Sequence, residues 1–151
     1  MLMTVCRRYA SDESIAKDIL QESLIKIFKN IDSYKATGSF EGWMRKITVR
    51  CALHWLRKSY LEKETQIAEI EDNKGTEPDV WSKLGTEEII QLIQNLPDGF
   101  RTVFNLYTIE GYSHKEIADF LDIGESTSRS QLVKARTMLK QSLLNLGKIA
   151  G

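Results

Sequence analysis

The apolar and polar positions of this chain recur almost everywhere at the helical period. Met3, Cys6 and Tyr9 share one face of a first segment that reads as the end of a helix. Ser11-Asp12-Glu13 then offers an N-cap, and a helix is predicted from Ser14 to Ile31 with Ala16, Leu20, Leu24, Ile27 and Ile31 as its apolar face. Asp18, Gln21, Glu22 and Lys29 occupy the opposite face, with Ile25 in their midst. Asp32 to Ser39 has the composition of a loop, ending in a capping Ser39. A long helix follows from Phe40 to about Glu62. Phe40, Trp43, Met44, Ile47, Cys51, His54 and Trp55 form its broad apolar face, and Lys46, Arg50 and Arg57 a narrow stripe beside it.

From Glu62 to Gly85 the period fades, and Gly75, Pro78 and Gly85 mark a linker. Periodicity then returns. Thr86 is expected to cap a helix that buries Ile89, Ile90 and Ile93 and stops at Leu96-Pro97; Asp98 opens another, with Phe100, Val103, Phe104 and Tyr107 as its apolar face. Ser113 with Glu116 has capping-box spacing, and Ile117, Ala118 and Leu121 give the next short helix a stripe to bury. Asp122-Ile123-Gly124-Glu125 reads as a tight turn in which Gly124 takes a positive φ. Ser126 is expected to cap a final helix that buries Leu132, Ala135 and Leu139. Two short helices joined by a glycine-containing turn make a helix-turn-helix. The fold class is therefore all-α: two small helical domains, residues 1–61 and 86–151, joined by a flexible acidic linker, residues 62–85.

Charge sharpens this division. Residues 1–61 hold 11 Lys/Arg against 6 Asp/Glu, residues 62–86 hold 3 against 7, and residues 87–151 hold 7 against 8, so a net charge of zero conceals a basic, an acidic and a mixed segment. From Ser126 onward Arg129, Lys134, Arg136, Lys140 and Lys148 face no acidic residue in the sequence, a charge of +5 suited to phosphate. Ser128, Arg129, Ser130 and Gln131 stand in the first turns of that helix, where a recognition helix reads base edges. Around Tyr34, Phe40 and Trp43, with Lys46 and Arg50, aromatic and basic side chains mix as they do where unpaired bases stack.

Other chemistries find little support. No phosphate-binding Gly-Lys-Ser/Thr loop or His-Glu-x-x-His motif is present, His54 and His114 have no evident nucleophile partner, and the chain is expected to be no enzyme and to need no cofactor. Cys6 and Cys51 are too few for a disulfide framework. Cys51 with His54 gives at most half a zinc site, so core burial is the better reading and no metal is expected. No apolar run is long enough for a membrane span and no signal peptide is visible, which points to the cytoplasm.

Leu96-Pro97, Tyr112-Ser113 with Glu116-Ile117-Ala118, Leu121, Ile123 and the Lys134-Ala135-Arg136 run together resemble region 4 of a sigma-70 family factor of the extracytoplasmic-function (ECF) group. Ala16-Lys17-Asp18-Ile19-Leu20-Gln21-Glu22, Gly38-Ser39-Phe40 with Trp43, and Trp55-Leu56-Arg57 resemble region 2 of the same group. The resemblance implies a transcription initiation factor that binds core RNA polymerase and directs it to promoters. Asp18, Gln21, Glu22 and Ile25 would meet the clamp helices of the β′ subunit. Tyr34, Lys35, Ser39, Phe40, Trp43, Lys46 and Arg50 would hold the melted strand of the −10 element. Ser128, Arg129, Ser130, Gln131 and Lys134 would read the −35 element, with Lys115 and Arg136 on phosphates. The β flap and an anti-sigma factor are further partners it implies. It also implies a helix preceding Met1 that would cover Leu20 and Leu24, so region 2 is expected to be incomplete at its N-terminal end. At Ser128 the family often has an apolar residue. The competing expectation is a stand-alone helix-turn-helix regulator that never touches polymerase.

Overall fold

A computed structural model of the protein describes residues 1–62 and 85–149, with side chains described to Arg57 and from Gly85 to Leu146. Apart from Glu62 and Gly85, the predicted linker, residues 62–85, lies outside the described residues. Among the described residues all regular structure is helical, in two compact units.

The first unit packs α1 (Leu2–Tyr9), α2 (Glu13–Lys29) and α3 (Phe40–Glu62) pairwise against one another. Asp12 starts α2 by accepting the Ile15 amide at 2.9 Å, and Ser39 starts α3 by accepting the Gly42 amide at 3.0 Å. The core takes Val5, Cys6 and Tyr9 from α1, Ala16, Ile19, Ser23 and Ile27 from α2, and Thr48, Val49, Cys51, Ala52, Leu53 and Leu56 from α3. Burial beside Cys51 pushes the Cys6 thiol up to about 11, so it stays protonated and behaves as a small apolar group.

Two of the predicted faces are rotated from the observed ones. In α2 the inward row is Ala16, Ile19, Ser23, Ile27, whereas Leu20 is half-buried and Leu24 and Ile31 are exposed. In α3 His54 points to solvent, while Trp43, Met44, Ile47 and Trp55 flank the core half-buried. A buried hydroxyl explains each shift. Ser23 donates to the Ile19 carbonyl at 2.6 Å and Thr48 to the Met44 carbonyl at 3.0 Å, so both enter the core with their polar atoms satisfied.

The second unit is built on α7 (Glu125–Ile149), which takes α4 (Thr86–Gln94), α5 (Asp98–Phe104) and α6 (His114–Leu121) along its length. Its inward row is Ser128, Leu132, Ala135, Leu139, Leu143. A π-turn, Asn105–Ile109, extends α5. Gly85, not Thr86, holds the cap position of α4, its amide donating to Glu88 at 2.8 Å. The capping box of α6 forms as expected: Ser113 Oγ accepts the Glu116 amide, and the Ser113 amide donates to Glu116 Oε2 at 2.8 Å. In the turn after α6 the left-handed residue is Asp122, at φ 56° and ψ 48°, and not Gly124. Helix α7 then begins at Glu125, one residue before the Ser126 expected to cap it.

Between α4 and α5 the buried Arg101 donates to the carbonyls of Gln94 (2.8 Å) and Leu96 (2.9 Å) and to the Asp98 carboxylate. It thereby satisfies the end of one helix and the start of the next. Arg101→Ala is expected to cost about 2–3 kcal/mol, because those acceptors lose a charged donor; hydrogen exchange should rise across residues 90–106 with the first unit unchanged.

The hydrogen bonds from Ser113 hold the Glu116 carboxyl below its ordinary value. A depressed folded-state pKa contributes stability above the unfolded value and loses it as pH falls through the folded one. Protection of the amides at the start of α6, taken relative to free-chain exchange at the same pH, should therefore fall as pH drops below the ordinary glutamate value, and Glu116→Gln should remove that pH dependence.

Candidate nucleic-acid interface

Three exposed faces gather the residues singled out by the sequence. On α2, Asp18, Gln21 and Ile25 are exposed and Glu22 is half-buried, spaced i, i+3, i+4 and i+7 on one face. Glu22 accepts from Lys26 at 2.6 Å, and this bond, ahead of any effect of burial, raises the lysine pKa. Ile25 is not a solitary apolar residue among acids. Leu24, Ile25 and Phe28 are 39, 49 and 74% exposed and form an apolar strip along the outer side of the helix, and Ile31, 44% exposed, follows in the 3-10 turn after it. Phe28 is the member that sequence reasoning missed, although it continues the stripe Asp18, Gln21, Ile25 at i+10.

The second face lies at the start of α3. Tyr34, Phe40 and Trp43 form one aromatic cluster: centroids are 5.1 Å apart for Tyr34–Phe40, 5.5 Å for Tyr34–Trp43 and 5.6 Å for Phe40–Trp43, the last pair stacked at 18°. The loop that carries Tyr34 is closed by its hydroxyl, which donates to the Gly38 carbonyl, and turns through Ala36 at φ 53°. Trp43, Lys46 and Arg50 recur at i, i+3 and i+7, so the two exposed cations line up beyond the aromatic cluster. Lys35 and Ser39 are exposed at its edge. Of the seven predicted residues five are exposed, and Tyr34 and Trp43 are half-buried.

The third face is that of α7. Arg129, Ser130 and Arg136 are exposed, Gln131 and Lys134 half-buried, and Lys115 stands exposed in the first turn of α6. Glu125 pairs with Arg129 at 2.8 Å, a contact between solvated side chains that tethers the guanidinium only weakly.

Ser128 does not belong to this face. It is 0% exposed, on the inward row of α7, and can touch no base. Its hydroxyl meets His114 Nδ1 at 2.9 Å, and the His114 ring stacks on Tyr107 at 4.5 Å and 20°. Burial first, then the charges of Arg129 and Arg136, lower the His114 pKa against an opposing effect of Glu125. The spacing to Leu132 and Ala135, i+4 and i+7, is the signal that could have placed Ser128 inside. Among the described residues no group of His, Cys, Asp and Glu side chains is arranged to hold a metal. No helix among them is long and apolar enough to cross a membrane.

Comparison with known proteins agrees with this layout. A family model described as Sigma-70 region 2 matches residues 1–60, and one described as Sigma-70, region 4 matches residues 86–139. The chain is 30% identical over 148 residues to the ECF RNA polymerase sigma-E factor of Haemophilus influenzae, covering 90% of this chain and 78% of that protein. It is also 30% identical over 154 residues to the ECF RNA polymerase sigma factor SigW of Bacillus subtilis, covering 94% and 82%. Among solved structures, the sigma factor RpoE of Bartonella quintana, in complex with the anti-sigma factor NepR, has a similar fold, with a TM-score of 0.54 at 20% identity over 95% of this chain and 89% of that one. This chain belongs to the sigma-70 family of RNA polymerase sigma factors, in its extracytoplasmic-function group.

Proposed function

We propose that the protein directs core RNA polymerase to promoters by dividing the work among its three faces. The Asp18, Gln21, Glu22 and Ile25 face of α2, extended by Leu24 and Phe28, takes the clamp helices of β′. The aromatic and basic surface of Tyr34, Lys35, Ser39, Phe40, Trp43, Lys46 and Arg50 holds the melted −10 strand. The outer face of α7, through Arg129, Ser130, Gln131 and Lys134 with Lys115 and Arg136 on phosphates, reads the −35 duplex, and the β flap contacts the same unit. Region 2 is assigned to residues 1–61 and region 4 to 86–151.

The single observation that carries this reading is the aromatic cluster with two cations aligned beyond it. Extruding a base from a duplex costs a few kcal/mol. Stacking at roughly 1–3 kcal/mol per base can offset that, while Lys46 and Arg50 track the backbone. Nothing in this role is catalytic: binding energy directs an enzyme that the protein itself does not contain. The site of action is the cytoplasm, and an anti-sigma partner belongs to the same reading.

The decisive test is transcription in vitro with purified core polymerase on a genomic fragment library. Transcripts should start at a small set of sites sharing a motif. Asp18→Ala combined with Glu22→Ala should weaken polymerase binding about ten-fold or more in a fluorescence titration, with duplex binding by α7 intact. Unchanged polymerase binding in the double variant would overturn the assignment of this face, and a wild-type protein that binds duplex but no polymerase would favour the stand-alone regulator.

Within the holoenzyme, Trp43→Ala should reduce open-complex formation about ten-fold and leave closed-duplex binding as it was. Lys115→Ala should weaken binding evenly across sequences and lower the salt slope by about one. Both are read by footprinting over a salt series.

A further inference from the structure

The inward row of α7 is apolar at Leu132, Ala135, Leu139 and Leu143 and polar only at its first position, Ser128, whose hydroxyl is fully enclosed. A hydroxyl enclosed in a core is unfavourable without a partner. Ser23 and Thr48, the buried hydroxyls of the first unit, donate to carbonyls of their own helices. Ser128 instead meets a side chain from another helix, His114 Nδ1, 14 residues away in the sequence.

The contact continues outward. His114 stacks on Tyr107, which the π-turn after α5 carries, and the Arg136 guanidinium lies 5.9 Å from the Tyr107 ring centre. The series Ser128, His114, Tyr107, Arg136 therefore begins and ends on α7, at residues two helical turns apart, about 12 Å. Between those anchors the outer face of α7 carries Arg129, Ser130, Gln131 and Lys134. A hydrogen bond fixes direction where an apolar contact tolerates rotation, and a helix turned by a fraction of its period misplaces every side chain aimed at a base edge.

We propose that His114 is a positioning residue for duplex recognition: held between Ser128 and Tyr107, it fixes the rotation of the segment of α7 that reads the −35 element. The proposal rests on the reading of α7 given above. His114 touches no base itself and acts through Ser128 and Tyr107. The charged groups around it are Arg129, Glu125 and Arg136, all on α7, with the Tyr107 ring stacked on it from the π-turn. Gaining a proton sets His114 against the two arginines and adds a cation that attracts any phosphate, so acid weakens discrimination twice over.

The test uses holoenzyme assembled with purified core polymerase. The probes are a duplex enriched by the wild-type holoenzyme from a random pool and a scrambled duplex of the same length, at one salt concentration. His114→Phe keeps a ring for Tyr107 and removes the bond to Ser128; Ser128→Val fills the buried site without a hydroxyl. The ratio of affinities for the two duplexes should fall about ten-fold in His114→Phe, with polymerase affinity unchanged and the fall persisting well below the variant's melting temperature, which the orphaned Ser128 hydroxyl lowers. The double variant, an apolar pair, should recover most of the loss. The wild-type ratio should fall as the pH is taken from neutral to below the ordinary histidine value, and the double variant's should not. The inference is overturned if His114→Phe keeps the wild-type ratio, if the loss merely follows a drop in melting temperature, or if both pH profiles coincide. A wild-type holoenzyme that enriches no duplex would sink the reading of α7 itself, and this inference with it.

Discussion

The constraint on which the second unit depends is the burial of one row of α7. Leu132, Ala135, Leu139 and Leu143 lie within 4% exposure and serve as the common surface on which α4, α5 and α6 pack. Each fully buried leucine stabilises the fold by roughly 1.5–3 kcal/mol. Because the helical period is fixed, choosing which side goes in chooses which side faces out. The outward placement of Arg129, Ser130 and Arg136 is therefore settled by packing energy rather than by the charges themselves, and recognition inherits its geometry from the core.

Charge works on a second level. A chain with 21 basic and 21 acidic residues has no net long-range attraction for DNA, and with a Debye length near 8 Å at physiological ionic strength the distribution within each unit matters more than the total. The Glu125–Arg129 pair illustrates how modest such surface contacts are: its side chains are 41 and 60% exposed, so phosphate or a base edge can displace the carboxylate at little cost.

The elements that sequence alone placed well are those decided locally. Asp12, Ser39 and Ser113 cap helices within three residues of themselves, and such bonds are legible because both partners lie in one short window. The aromatic cluster of Tyr34, Phe40 and Trp43 was legible for the same reason. What sequence misjudged was rotation about the helix axis. Helix α2 carries isoleucine, leucine or phenylalanine at eight positions from Ile15 to Phe28 or just beyond, at Ile31, too many for one face. Of two overlapping stripes the one without a serine was preferred, yet Ser23 enters the core because its hydroxyl is satisfied by Ile19. Thr48 and Ser128 misled in the same way. The turn at Asp122 was missed because Asp, like Gly, tolerates the left-handed region, and glycine draws the eye first.

The error in α2 bears directly on what the helix presents. Assigning Leu24 to the core leaves Ile25 as the one apolar residue among the polar ones on the outer face. Placing Ser23 there instead turns Leu24, Ile25 and Phe28 outward as one strip, followed by Ile31 and bordered by Asp18, Gln21 and Glu22. A strip of this kind has the composition of a contact surface, with an apolar centre that excludes water and charged neighbours that select the partner. Phe28, at 74% exposure, is the side chain with most to gain from being covered. The acidic residues alone would supply steering without much affinity, and the apolar residues alone would supply affinity without discrimination. Their adjacency on one helix follows from a single serine satisfied within its own backbone.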